Sequence, residues 1–494
     1  MNRKALSFLT ALLLTAAPAL SGCSGAANEE FSEATAPTSA AVSEPVTLEF
    51  WGRWEEANPQ IAETIAEFQA EHPGIKVNYS TIPFAQYVAQ LQTAISGGDL
   101  PDIFGSHPSL PTYQLSQLDI IHPIDDLITD EVQSEFFEGT WSEGETTLDG
   151  NVYSIPLFNP KRAAMELFYN KSVLTKAGLT EADIPKTWDE LVTFSRKVKE
   201  GTNGEAYGVV MGIKASSLAA SIVQQMATAI KPEVVPSTSI PINYKTGLYE
   251  INSPSIVETL EYFKLLYDQE LLHPNSLVMN MTEGAALMIS GQAALLFDGA
   301  YEATKLPADQ LDNFGVAPLP TKDGKKQYFA YNGGAATAAL FVAKTTKHYE
   351  ETKLFLQYLM DHLYPKLVRD GVEYSPVTAQ NEETEVTHLI AKKGLALQNE
   401  TVILVPRPYV KNSATIDVAK ETSGKLPKTT LLNVIEGYLS GQIQDISAEL
   451  TAINEEANKV RDSAIKKLAA EGVAVSLEDY QFSDWVPLQP YTGQ

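Results

Sequence analysis

Apolar and polar residues alternate along the first folded stretch, VTLEFWGRWEEANP, where Val46, Leu48 and Phe50 share one face of a strand. The alternation then fails at a loop carrying two tryptophans. Asn58 and Pro59 read as a helix cap followed by proline at the first helical position. Ile61, Ile65 and Phe68 recur at helical spacing until His72-Pro73-Gly74 stops them. IKVNY alternates as a second strand. FAQYVAQLQTAISGG is a helix with Val88, Leu91 and Ile95 on one face and Gly97-Gly98 closing it, and PDIFGS is a short buried strand. Strand and helix in strict turn predict a parallel α/β sheet.

The same periods continue downstream. In KTWDELVTFSRKVKEG, Thr187 and Glu190 form a capping box, and Leu191, Phe194 and Val198 make the buried stripe. SPSIVETLEYFKLLYDQELL is a longer amphipathic helix through Ile256, Leu260 and Phe263. GQAALLFDGAYEA reads as a strand that turns at Asp298-Gly299 and enters a helix. Near the end, Leu450, Ile453, Ala457 and Val460 share a helical face. The chain is α/β throughout, with helices predominating late.

The first 45 residues follow a different pattern. A basic start, Met1-Asn2-Arg3-Lys4, precedes the apolar run Ala5 to Leu20, which is too short and too broken by Pro18 to span a bilayer. This is the order of a secretory signal peptide, here residues 1–22. Leu20-Ser21-Gly22-Cys23 resembles the bacterial lipobox, in which cleavage precedes a cysteine that carries diacylglycerol. Cys23 is the only cysteine of 494 residues, so it has no disulfide partner within the chain and reads as the lipid attachment point. Residues 23–45, rich in Ser, Ala, Thr, Glu and Pro, bury too little apolar surface to order themselves and read as a flexible tether. A lipobox with a long leash fits an extracytoplasmic protein of a single-membrane, Gram-positive cell.

Composition narrows the function by exclusion. The formal charge is −26, and loss of Arg3 and Lys4 with residues 1–22 takes it to −28, which disfavours nucleic acid and anionic lipid headgroups as partners. No P-loop, dinucleotide fingerprint, H-E-x-x-H, G-x-S-x-G or EF-hand loop is present, and seven histidines are scattered without ligand spacing. No cofactor or metal is expected. With 62 acidic residues, none singled out as a catalytic pair, a glycan-cleaving enzyme stands as the alternative class.

Several segments then fall into one order: LEFWGRWEEANPQIAETIAEFQAEHPGIKVNY, LQTAISGGDLPDIF, GNVYSIPLF, LFYNKSVLTKAGL, PKTWDEL, GQAALLFDGAYE, GVAPLPTKDGKK and YNGGAATAALFVAKTTKHYEETKLFLQYL. From about Val46 to about Met360 the chain resembles the extracellular solute-binding proteins of carbohydrate-import ABC transporters, the family that includes maltose-binding proteins. The resemblance implies a two-lobed, periplasmic-binding-protein-like (type II) α/β fold with a ligand cleft between the lobes. Residues 46–157 and 316–366 would form lobe 1, and residues 158–315 and 367–494 lobe 2. It implies a receptor that closes on a carbohydrate, an oligosaccharide by the number of aromatics near the cleft and the family's usual cargo, and serves permease subunits; a receptor feeding a sensor kinase is the further alternative. A monomer is the default, since no coiled-coil heptad or exposed apolar stripe demands a partner.

Sugar rings present apolar faces and a belt of hydroxyls, so a site for them needs aromatic platforms beside charged or amide groups. Candidates leaving the first strand are Arg53, Trp54 and Glu55, with Trp51 partly core and Glu55 alternatively solvated. Ser106 and His107 follow PDIF, His107 being ligand contact or structural histidine. Tyr301 stands where many relatives place a stacking tryptophan. Asp298 binds a hydroxyl or shapes the turn with Gly299. Asn332 and Gly333 belong to the glycine-rich YNGGA. Arg162, beside Lys161, either pairs with a local carboxylate or points to an acidic sugar such as a uronate. Arg407 and Tyr409 of VPRPYV would enter from the second lobe, with Phe158 and Lys214 as further contacts.

Overall fold

The first strand pairs in parallel with both of its neighbours, which fixes one α/β sheet at once. In the computed structural model, Val46–Gly52 lies between Ile75–Thr81 and Ile103–Gly105, with Phe50 opposite both Tyr79 and Ile103. Ala339–Val342 and then Ser154–Pro156 complete this five-stranded sheet, joined antiparallel. The structure describes residues 45–107, 109–162, 164–214, 216–237, 240–324, 329–332 and 338–491. The signal peptide, Cys23, the tether and Gly333 lie outside the described residues. Pro45–Gln494 forms one compact unit. Among the described residues no helix is long and apolar enough to cross a membrane.

A second sheet has the order Phe314–Pro318, Met165–Asn170, Ala293–Gly299, Tyr207–Val210. Met165–Asn170 is buried along its whole length, Glu166 included. Each sheet has its own apolar core. The first gathers Leu48, Phe50, Phe68, Ile103 and Phe355; the second gathers Leu167, Leu191, Phe194, Leu260, Phe263 and Phe297. The tail helix Ile446–Ala470 packs Leu450, Ile453 and Ala457 into the second core.

Local signals in the sequence map onto real caps. Glu190 N–H donates to Thr187 Oγ1 at 3.2 Å, and Thr187 N–H donates back to Glu190 Oε2 at 3.1 Å. Gly98 ends the helix Phe84–Gly97 at φ 73°, a conformation that suits glycine. Asn58 departs from expectation. A 3-10 turn over Glu55–Ala57 runs into the helix Asn58–Glu71, so Ala57 is the cap. The Asn58 side chain instead accepts from Tyr79 OH at 3.0 Å and Thr81 Oγ1 at 2.8 Å, tying the helix to the edge strand. After Asp298-Gly299 the helix Ala300–Lys305 is of 3-10 type.

Chain crossings decide where a cleft can form. The chain leaves the first sheet at Pro156 and enters the second at Met165. The boundary implied at 315/316 falls inside Phe314–Pro318, which belongs wholly to the second sheet because it pairs along its length with Met165–Asn170. Ala330–Asn332 then pairs with Val402–Leu404, and the first sheet is regained only at Ala339–Val342. The boundary at 366/367 is likewise displaced. The helix Tyr349–Arg369 packs on Asn58–Glu71, and Val377 still bridges to Phe136 in the first core. The chain next joins the second lobe at Leu389–Thr401, which packs on Ala300–Lys305 and Phe314–Pro318.

Candidate functional site

A cleft of about 550 Å³ opens between residues of the two cores. Phe158, just past the last strand of the first sheet, is buried on one wall. Trp54 meets its ring edge-on at 6.2 Å, and the Arg162 guanidinium lies 4.6 Å from its centroid. Arg162 Nε is 3.5 Å from Glu373 Oε2. Glu373 is held further by Gln398 Nε2 at 2.6 Å and the Tyr374 N–H at 3.1 Å, both donating to Oε1. Burial still pushes the Glu373 carboxyl up to about 7, with Arg162 opposing the rise.

The facing wall carries Tyr301. Its hydroxyl donates to Asp298 Oδ1 at 2.9 Å, and the Gly299 N–H donates to the same oxygen at 2.7 Å. Lys305 Nζ lies 4.6 Å from the ring centroid. Gly299 is what lets the ring sit there, since a Cβ at that position would fall 2.4 Å from Tyr301 Cε1. Burial raises the Asp298 carboxyl to about 6. The same burial, and then the Asp298 charge, push the Tyr301 hydroxyl far above its ordinary range.

The third wall joins the lobes. The Tyr409 hydroxyl donates to Glu145 Oε1, and Arg407 Nη1 sits 3.5 Å from Glu145 Oε2. Both terminal nitrogens of Arg407 approach the Gly139 carbonyl at 3.4 Å. Nearby, Gln114 Nε2 donates to Ser423 Oγ at 3.3 Å, and Lys420 stands over the Tyr113 ring at 5.8 Å. Amides close the floor: Gln225 Oε1 accepts from the Met165 N–H at 2.9 Å, and Gln224 is held by the backbone of Ser237. Tyr244 and Tyr331 add two more rings.

Four sequence candidates therefore line the cleft together: Phe158, Arg162, Tyr301 and Tyr409. Arg407 stands behind Glu145, and Asp298 is fully buried behind Tyr301, where it anchors both the turn and the ring. Trp54, expected at the ligand, is 2% exposed in the first core, because the chain turns inward after Gly52 and packs its indole on Phe158 and Gly105. Arg53 lies between the Trp54 and Phe84 rings at 4.6 and 5.2 Å, its Nε donating to the Ser106 carbonyl at 2.5 Å. Burial, then the Arg162 charge, lowers it to about 10. Ser106 and His107 line a neighbouring cavity instead of the cleft. Glu55 is exposed on the 3-10 turn and Lys214 is exposed in a turn, neither on the cleft wall. Asn332 ends the strand Ala330–Asn332. Lys161 donates to the Asn399 carbonyl.

The wall also holds residues that sequence reasoning passed over: Glu56, Glu145, Gln224, Gln225, Tyr244 and Glu373. The amide pair Gln224-Gln225 near the end of a largely apolar helix, Ser217–Thr228, was the one readable signal. Chemically the site offers flat ring faces beside fixed hydrogen-bonding groups, and its guanidinium groups are each engaged by protein.

Comparison with known proteins bears on the fold. The family model for bacterial extracellular solute-binding protein matches residues 54–362. A binding protein of Brucella abortus is 24% identical over 342 residues, 68% of this chain and 77% of the relative. The multiple sugar-binding protein of Streptococcus mutans is 24% identical over 323 residues, 64% of this chain and 71% of the relative. Among solved structures, an ABC transporter solute-binding protein of Thermotoga lettingae bound with α-D-tagatose aligns with a TM-score of 0.65 at 18% identity. That alignment covers 84% of this chain and 100% of the other.

Proposed function

Because the chain belongs to the bacterial extracellular solute-binding protein family, we propose that it is the carbohydrate receptor of an ABC importer, anchored to the cell membrane by diacylglycerol on Cys23. The lobes close on an uncharged oligosaccharide and present it to the permease. One observation carries this reading: the half-buried rings of Tyr301 and Tyr409 face a single cleft, lined from both cores, that also holds amides and carboxylates. Such rings stack on the apolar faces of sugars, while amides and acids take the hydroxyls. Contacts to both lobes favour the shut state, which is how binding drives closure. The names of relatives such as the multiple sugar-binding protein support the same ligand class. An uncharged sugar is preferred over a uronate because Arg162 already faces Glu373 and Arg407 faces Glu145.

The test is thermal unfolding of residues 45–494 against neutral and acidic oligosaccharides, with each glycan analysed before and after incubation. A ligand bound only by the folded form at a hundred times its Kd stabilises by about 2.7 kcal/mol. A shift for one neutral glycan, recovered intact, is expected. Cleavage of the glycan would instead favour the enzyme, and silence across the panel would remove carbohydrate as the cargo.

A further inference from the structure

Behind the wall that Glu145 and Tyr409 make on the cleft lies a second cavity of about 240 Å³. The same two side chains line both spaces, so they are a shared partition. The Tyr409 hydroxyl donates to Glu145 Oε1, Arg407 stands beside Oε2, and the two partition residues come from opposite lobes. Among the described residues Glu145 Oε2 accepts no hydrogen bond, although Arg407 Nη1 pairs with it at 3.5 Å. An ion-paired carboxylate oxygen keeps a lone pair that can accept a further donor. Glu145 and Tyr409 are the residues common to the two linings, so rotation of these two side chains would join the spaces.

The chemistry inside the cavity matches that of the cleft. Leu110, Phe341 and Ile416 supply apolar surface, and Thr112 and His107 supply polar groups. His107 Nδ1 accepts from the Ser109 N–H at 3.1 Å, which puts the ring proton on Nε2. Nε2 makes no other hydrogen bond among the described residues, so a donor remains. Burial holds this imidazole down to about 4, so it stays neutral at physiological pH. The far side of the cavity is Thr415, Ile416 and Ala419 of the helix Thr415–Thr422, beyond the residues 54–362 that the family model matches.

We propose that this second cavity is a further subsite, taking one more sugar unit of an oligosaccharide whose other units lie in the cleft, with Tyr409 and Glu145 as the movable partition. The inference rests on the carbohydrate reading and deepens it: the site discriminates by chain length. Glu145 Oε2 and His107 Nε2 are an acceptor and a donor for hydroxyls of the added unit. The cavity adds nearly half as much space again to the cleft.

The experiment is calorimetric titration of the protein with malto-, cello-, xylo- and chito-oligosaccharides, each as a series from disaccharide to hexasaccharide. For the series that binds, affinity is expected to climb at least tenfold at one step of chain length. Ala419→Phe fills the cavity from an exposed helix position. It is expected to weaken binding above that step at least tenfold more than below it. His107→Ala, with melting temperature as the folding control, is expected to reduce the same step. A flat series, or a step that Ala419→Phe leaves in place, overturns the subsite while the receptor reading stands. Absence of binding by every glycan overturns both.

Discussion

Replacing Glu166 with methionine is expected to stabilise the protein at neutral pH and to do little in acid. Glu166 lies between Asp298 and Pro318 of the neighbouring strands, with no exposed surface. Among the described residues neither carboxylate oxygen has a hydrogen-bond partner. Burial, and then the Glu373 charge, raise its pKa well above the ordinary 4.5. The folded state therefore keeps a proton that the unfolded chain releases near pH 4.5. Stability is greatest below that point and is lost as pH rises towards the folded-state pKa. Each pH unit within the window costs about 1.4 kcal/mol. Methionine keeps the volume and removes the ionisation, a swap that cores tolerate. Urea unfolding of both proteins at pH 5 and pH 7 measures the difference. A gain at pH 7 that shrinks towards pH 5, by up to about 1.4 kcal/mol for each pH unit, is the expected outcome. Parallel pH profiles, or a variant weaker at pH 7, would refute the reasoning.

Other perturbations follow from the same walls. Arg162→Ala leaves Glu373 buried without its guanidinium and is expected to cost about 3–5 kcal/mol above pH 7, less in acid where Glu373 takes a proton; urea unfolding at two pH values checks it. Gly299→Ala fits the backbone at φ −76° but collides with Tyr301, so glycan affinity is expected to fall at least tenfold by calorimetry while the melting temperature changes little. His107 is expected to titrate near 4 by NMR, and because its folded pKa is depressed, its contribution is present above about 6.5 and lost as pH falls towards 4. A midpoint above 6 would mean the ring is not desolvated as the structure has it.

Legibility in the sequence followed the range of each physical signal. Thr187 and Glu190 were readable because a capping box is closed within four residues. The stripe of Leu191, Phe194 and Val198 was readable because burial recurs at the helical period. Trp54 was misread because the strand ends at Gly52, and beyond it alternation no longer says which tryptophan turns inward. Asn58 looked like a cap because its rival partners, Tyr79 and Thr81, are over twenty residues away. The site shows the same division. Tyr301 was singled out by the family resemblance of one local segment, whereas Glu145 gains meaning only from Arg407 and Tyr409, more than 260 residues later. Glu373 likewise depends on Arg162 and Gln398. Charged and amide residues in such segments look like solvated surface until the fold brings their partners in.

The C-terminal arm has a kinetic consequence. Its long helix, Ile446–Ala470, is fixed in the second core, yet Tyr409, Arg407, Ser423 and Lys420 reach the first lobe at Glu145, Gly139, Gln114 and Tyr113. Any widening of the cleft must break these contacts together. For the receptor proposed above, detachment of the arm would then contribute to the dwell time of the cargo beside grip on the ligand. A transporter that draws Thr415–Thr422 away from the first lobe would trigger unloading without touching the ligand.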